Sequence, residues 1–152
     1  MRFVFLILIL FTLTSCNGYK PLLKGQDINF TIENIKIISD DDISKRIVKR
    51  LESYNSKNNQ KKLTLEIKTS KKDEIISKDN KGDPLIFKLT VNVEVKVDSN
   101  NNQKKLIYGG NSNYNNQSNK FELNQYKRNL QENLVNKIIE KLILDLVNYE
   151  WL

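Results

Sequence analysis

The chain is 152 residues long and 39% hydrophobic, and it carries 25 Lys and Arg against 18 Asp and Glu, a net charge of +7. It has no histidine, which excludes Ser-His-Asp and Cys-His catalysis, most zinc sites and the usual neutral-pH proton shuttle. The single cysteine excludes an internal disulfide, and the five scattered glycines form no phosphate-cradling loop.

Arg2 gives the chain a positive start, and Phe3 to Phe11 follow as an unbroken apolar run. That run is too short for a membrane-spanning helix, which needs about 20 apolar residues. It also lacks the polar face of a helix packed on a core. Leu13-Thr14-Ser15-Cys16 then sets a small residue directly before the cysteine, the layout of a secretory signal and its cleavage site. With the cysteine in that place the segment resembles a bacterial lipobox. The resemblance implies diacylglycerol on the Cys16 thiol, cleavage before Cys16 and acylation of the new amine, giving an N-palmitoyl, S-diacylglycerol cysteine. Each buried CH₂ contributes about 0.8 kcal/mol, so two or three acyl chains hold a protein at a membrane where one binds only marginally. In the lipoprotein class an Asp after the cysteine favours the inner membrane, and Asn17 is compatible with the outer one. Residues 1–15 therefore read as a signal peptide and 16–26 as a lipidated tether containing Gly18, Pro21 and Gly25. Residues 27–152 read as one folded domain.

Ile28, Phe30 and Ile32 alternate with polar residues, and Ile35 and Ile37 resume after a slip near Asn34. This is the pattern of a half-buried strand with a bulge. Ser39 to Asp42 opens a helix whose stripe is Ile43, Ile47, Leu51 and Tyr54, with Lys45, Arg46, Lys49 and Arg50 mostly off it. Leu63, Leu65 and Ile67 begin a second strand that continues loosely to Ile75. Asp79 to Pro84 form a turn. Every odd position from Leu85 to Val97 is apolar, predicting a strand roughly 43 Å long with one greasy face. After a turn at Asp98 to Gln103, Leu106, Tyr108 and Tyr114 mark a fourth strand. Gly109-Gly110 is expected to break it with a bulge or twist, and its end is obscured by the Asn-rich stretch from Asn111 to Asn119. From Asn124 to Tyr149, Tyr126, Leu130, Leu134, Ile138, Leu142 and Leu146 recur every four residues. Leu123, Val135, Ile139 and Val147 widen that stripe into an amphipathic helix roughly 39 Å long. The order β-α-β-β-β-α predicts an α+β two-layer sandwich: a four-stranded, mostly antiparallel sheet covered on one face by two helices. The other face is polar, and the sheet edges are open to a strand from a partner.

Asp40-Asp41-Asp42 could be drawn as metal ligands or catalytic carboxylates, but acidic residues at a helix start are expected to cap it and complement its dipole. Lys61-Lys62, Lys71-Lys72 and Lys104-Lys105 are basic pairs. For an exported lipoprotein the fitting anionic partner is a lipid or lipopolysaccharide, not nucleic acid.

Cys16-Asn17-Gly18-Tyr19-Lys20-Pro21-Leu22, the β-α-β-β-β-α order and the long C-terminal helix after an Asn/Tyr-rich stretch resemble the LptE family of lipopolysaccharide-assembly lipoproteins. That helix has no alanine, where the family's is usually rich in it. The resemblance implies an outer-membrane lipoprotein, facing the periplasm or lodged in a barrel lumen. It would plug the LptD β-barrel, assist its assembly and take part in lipopolysaccharide transport. Lys104 and Lys105, expected at the turn into the fourth strand, are the candidate lipopolysaccharide contacts, set against a plainly solvated turn. No catalytic residue, metal or cofactor is expected. One alternative is another outer-membrane lipoprotein acting as a scaffold. Another is a hydrolase, which without histidine needs a Ser-Lys or carboxylate pair that no spacing here points to.

Overall fold

The computed structural model describes residues 30–53, 61–99 and 102–148. The expected signal peptide, Cys16 and its tether, Lys20, Ile28, Tyr54 and Tyr149 lie outside the described residues. The elements are β1 (Thr31–Ile37), α1 (Asp42–Glu52), β2 (Lys62–Lys78), β3 (Pro84–Ser99), β4 (Asn102–Asn115) and α2 (Lys120–Asn148). They form one sheet in the order β1-β2-β3-β4. The pair β1-β2 is parallel and the pairs β2-β3 and β3-β4 are antiparallel. A parallel pair needs a crossover connection, which α1 provides, whereas the long β2-β3-β4 meander needs only turns.

The slip in β1 is a register shift between Ile32 and Asn34. It lets Ile32 stay buried while Ile35 and Ile37 fall beside Leu65 and Ile67. Without the extra residue, one of these sets would face water.

Helix α1 starts where the Asp run predicts. Asp41 is the N-cap and accepts from the Ser44 amide at 2.8 Å, and the Ser44 hydroxyl accepts from the Asp41 amide at 3.2 Å, completing a capping box. Thr69 of β2 donates to the other Asp41 oxygen at 2.5 Å, so the cap also fastens the helix to the sheet. Helix α2 starts earlier than its apolar stripe implies. Asn119 Oδ1 accepts from the Phe121 and Glu122 amides at 3.1 and 3.4 Å, the work of an N-cap, so the helix begins at Lys120 and not at Asn124.

The core lies between the sheet and the helices. Val91, Val93, Val95 and Val97 of β3 and Leu63, Leu65 and Ile67 of β2 meet Ile43, Ile47 and Leu51 of α1 and Val135, Ile138, Ile139, Leu142, Ile143 and Leu146 of α2. The stripe of α2 holds only in its C-terminal half. Tyr126 is 44% exposed and Phe121 70% exposed, and at that end β2 meets α2 through polar contacts, Asp73 with Lys127 and Lys71 with Gln131.

One expectation for β4 is corrected. Gly109 and Gly110 do not interrupt it: they pair in unbroken register with Asn92 and Val91, with no bulge. A Cβ on Gly110 would lie 3.2 Å from Leu134 Cδ2, so this glycine serves the close approach of α2. The strand also runs on through the Asn-rich stretch to Asn115, because its pairing with β3 supplies what asparagine's own strand preference lacks.

Candidate functional site

The helix-free face of the sheet is a polar surface that all four strands build. One row crosses all four strands: Lys36 beside Glu66, Glu66 beside Lys96, and Lys96 beside Lys105. Glu66 binds Lys96 at 2.8 Å and Lys36 at 3.3 Å. Lys96 and Lys105 are like charges side by side, a destabilising arrangement, and Lys105 escapes it by reaching diagonally to Glu94 at 2.8 Å. Hydrogen bonds from Lys96 and then Lys36 hold the Glu66 carboxyl below the ordinary carboxylate range, and Lys105 does the same for Glu94. Farther along, Ser70, Asn92 and Gly109 form one uncharged row, and the next holds Lys72, Thr90 and Asn111, with Lys72 paired to Glu74 at 2.7 Å. Such a face hydrogen-bonds to a wet wall, and its paired charges give it no strong field of one sign.

The two sequence-predicted contacts are placed here but not brought together. Lys104 and Lys105 lie within β4, not at a turn. As strand neighbours they point to opposite faces: Lys105 to the open face beside Glu94, and Lys104, opposite Val97, to the helix-covered side. Cys16, the predicted lipidation site, lies outside the described residues.

The helix side carries features the sequence did not single out. A groove of about 750 Å³ runs between α1 and α2, with Lys45, Arg46, Lys49 and Arg50 along one wall and Ile139 and Ile143 on its floor. Lys45 pairs with Asp40 at 3.0 Å and Arg46 with Glu132 at 2.8 Å, the latter tying the helices together. The only sequence signal for this groove was that the four basic residues fall off the apolar stripe.

A polar joint closes the far end of the layers. Tyr114 donates to Asp73 at 2.8 Å, Lys127 pairs with the same carboxylate, and Lys71 donates to Gln131 at 3.1 Å. Nearer the core, Tyr108 donates to Asp145 at 2.8 Å. Burial, then the hydrogen bond to a carboxylate, pushes both tyrosine hydroxyls well above their ordinary value. Both stay protonated as donors, and neither is poised as a base. Among the described residues no three acidic or Cys side chains converge as metal ligands, and no helix is long and apolar enough to cross a membrane.

No protein-family model matches the chain, and no curated protein matches its sequence. Solved structures do match its architecture. A candidate lipoprotein from Caulobacter crescentus CB15 superposes with a TM-score of 0.53 at 14% identity, over 74% of this chain and 87% of that one. A minor lipoprotein from Acinetobacter baumannii gives 0.51 at 11% identity, over 79% and 93%. The rare lipoprotein B of Shewanella oneidensis aligns more loosely, at 0.48 and 15% identity, over 75% and 90%. The α+β sandwich described above is thus the fold of the first two proteins.

Proposed function

We propose that this chain is a lipid-anchored outer-membrane protein of the LptE kind. In this reading it plugs the LptD β-barrel, assists its assembly and takes part in lipopolysaccharide transport. The observation that carries the reading is the two-layer fold, shared with two proteins described as lipoproteins, in a chain that opens on Leu13-Thr14-Ser15-Cys16. The surface supports it. A sheet covered by helices on one side and carrying Lys36, Glu66, Lys96 and Lys105 on the other suits a wide barrel's polar, water-filled lumen. Lysine ammonium groups make charge-assisted bonds to lipid phosphates, and Lys105 reaches them by exchanging its Glu94 partner. Lipid at Cys16 raises the local concentration of the chain near any barrel in the same membrane. The role requires no bond to be made or broken, and the chain is proposed to be no enzyme.

The test is a pull-down from detergent-solubilised outer membranes with a C-terminally tagged chain, with and without Cys16→Ala. The expected result is stoichiometric recovery of one large β-barrel that survives mild denaturant. Loss of the barrel in the Cys16→Ala form assigns the anchor to assembly, and retention assigns it to delivery. Recovery of the lipidated chain alone overturns the plug and leaves a scaffold lipoprotein.

A further inference from the structure

The geometry points to the outer edge of β4 as an acceptor for an added β-strand from a protein partner, an extended segment alternating apolar and acidic residues. This goes beyond the barrel reading and rests on none of it. The sheet has two edges, and they differ. β1 is seven residues long, carries a bulge after Ile32, and has Glu33 paired with Lys62 and Lys36 with Glu66. Bulges, charges and short length are the devices that keep an edge from pairing. β4 is fourteen residues long, unbroken and free of proline, and from residue 106 to residue 115 it carries no charge. It is last in the sheet order, so among the described residues no strand takes up its outward N–H and C=O groups.

The edge also has a wall beside it. A groove of about 210 Å³ lies between residues 107–110 and the α2 side chains Leu134, Lys137, Ile138 and Lys141. Four consecutive strand residues facing one groove mean that it follows the backbone edge, not a single side chain. A strand laid along β4 sends alternate side chains toward α2. There Leu134 and Ile138 receive an apolar residue, while Lys137 and Lys141 stand beside its neighbours. Backbone bonds then give affinity and the groove gives selectivity, as in other strand additions.

Charge decides the occupant. Two copies joined edge to edge through β4 would bring Lys137 and Lys141 of one against the same lysines of the other, in a chain already at +7. The carboxylate near the groove, Asp145, is engaged by Tyr108. An acidic segment meets no such repulsion.

The experiment uses the full chain in detergent with two fluorescent ten-residue peptides, one alternating valine with glutamate and one valine with lysine. The expected result is that the glutamate peptide binds and slows amide exchange in residues 106–115. The lysine peptide should bind about tenfold more weakly or worse, and the doubly substituted Lys137→Glu/Lys141→Glu chain should reverse the preference. Unchanged exchange in β2 and β3 of that variant shows that its fold is intact. Failure of the glutamate peptide to bind, equal affinity for both peptides, or protection in β1 overturns the proposal. So does protection of residues 106–115 that grows with protein concentration alone, which makes a second copy the occupant.

Discussion

Gly110 sets how closely α2 lies on the sheet. Its missing Cβ leaves room for Leu134 and Ile138, whose nearest atoms would stand 3.2 and 4.0 Å from one. A branched side chain at this point overfills the interface. Gly110→Val is expected to lose about 1–3 kcal/mol in urea unfolding. Adding Leu134→Ala should recover part of that loss, which a simple effect on strand preference would not. Tyr108 shows the opposite economy, a nearly buried ring whose hydroxyl reaches Asp145. Tyr108→Phe keeps the packing and removes a bond to a charged acceptor, for an expected loss of about 1.5 kcal/mol by the same measurement. A double glycine reads as a break when only neighbours in the chain are considered. Its reason here lies across the layer, on a helix 24 residues further on, beyond the reach of local pattern.

At the scale of elements, α1 is both capped and tied to β2 by one side chain, Asp41. Burial by itself pushes the Asp41 carboxyl up, but hydrogen bonds from Thr69 and Ser44 outweigh it and hold the group below its ordinary value. Asp41→Ala removes the cap and the tie to β2 together, and thermal unfolding should report a loss of about 1–2 kcal/mol. Asp41→Asn, which keeps an acceptor, should lose less. The elements legible in the sequence were those whose partners impose one unbroken pattern. β3 alternates from Leu89 to Val97 because helices cover one side of it and water the other. The bulge in β1 was visible as a phase slip for the same reason. β4 past Asn111 was not visible, because its strand conformation comes from pairing with β3 and not from its own residues. The N-terminal half of α2 misled in the other direction. Tyr126 keeps helical spacing, yet β2 meets that half through polar Lys71 and Asp73, and one helix's periodicity cannot reveal what it packs against. Of the candidate contacts, the sequence placed Lys104 and Lys105 side by side, but pleating sends them to opposite faces.

For the molecule as a whole, the titrating groups predict a wide plateau of stability. Glu66, Glu94 and Asp41 have native values below ordinary, so the stability they contribute is present above the unfolded carboxylate values of about 4 and is lost as pH falls through their native ones. Tyr108 and Tyr114 have native values above ordinary, and Lys45, Lys62 and Lys96 follow them. Their contribution is full below about pH 10 and is lost as pH rises toward their native values. With no histidine in between, unfolding free energy should be flat from about pH 5 to about pH 9.5 and fall on both sides. Replacing both tyrosines with Phe should flatten the alkaline fall, and a midpoint series in urea across pH reads it directly.

The far end of the layers, fastened by Tyr114, Asp73 and Lys127, behaves differently under load from the end filled with valine and leucine. Hydrocarbon contacts give way together, because opening one opens a cavity against all its neighbours. A partly exposed ion pair such as Lys127 with Asp73 can be exchanged for water at little cost. The valine and leucine end therefore opens all at once, whereas the Lys127–Asp73 pair at the other end can part and re-form without disturbing the strands that hold the register.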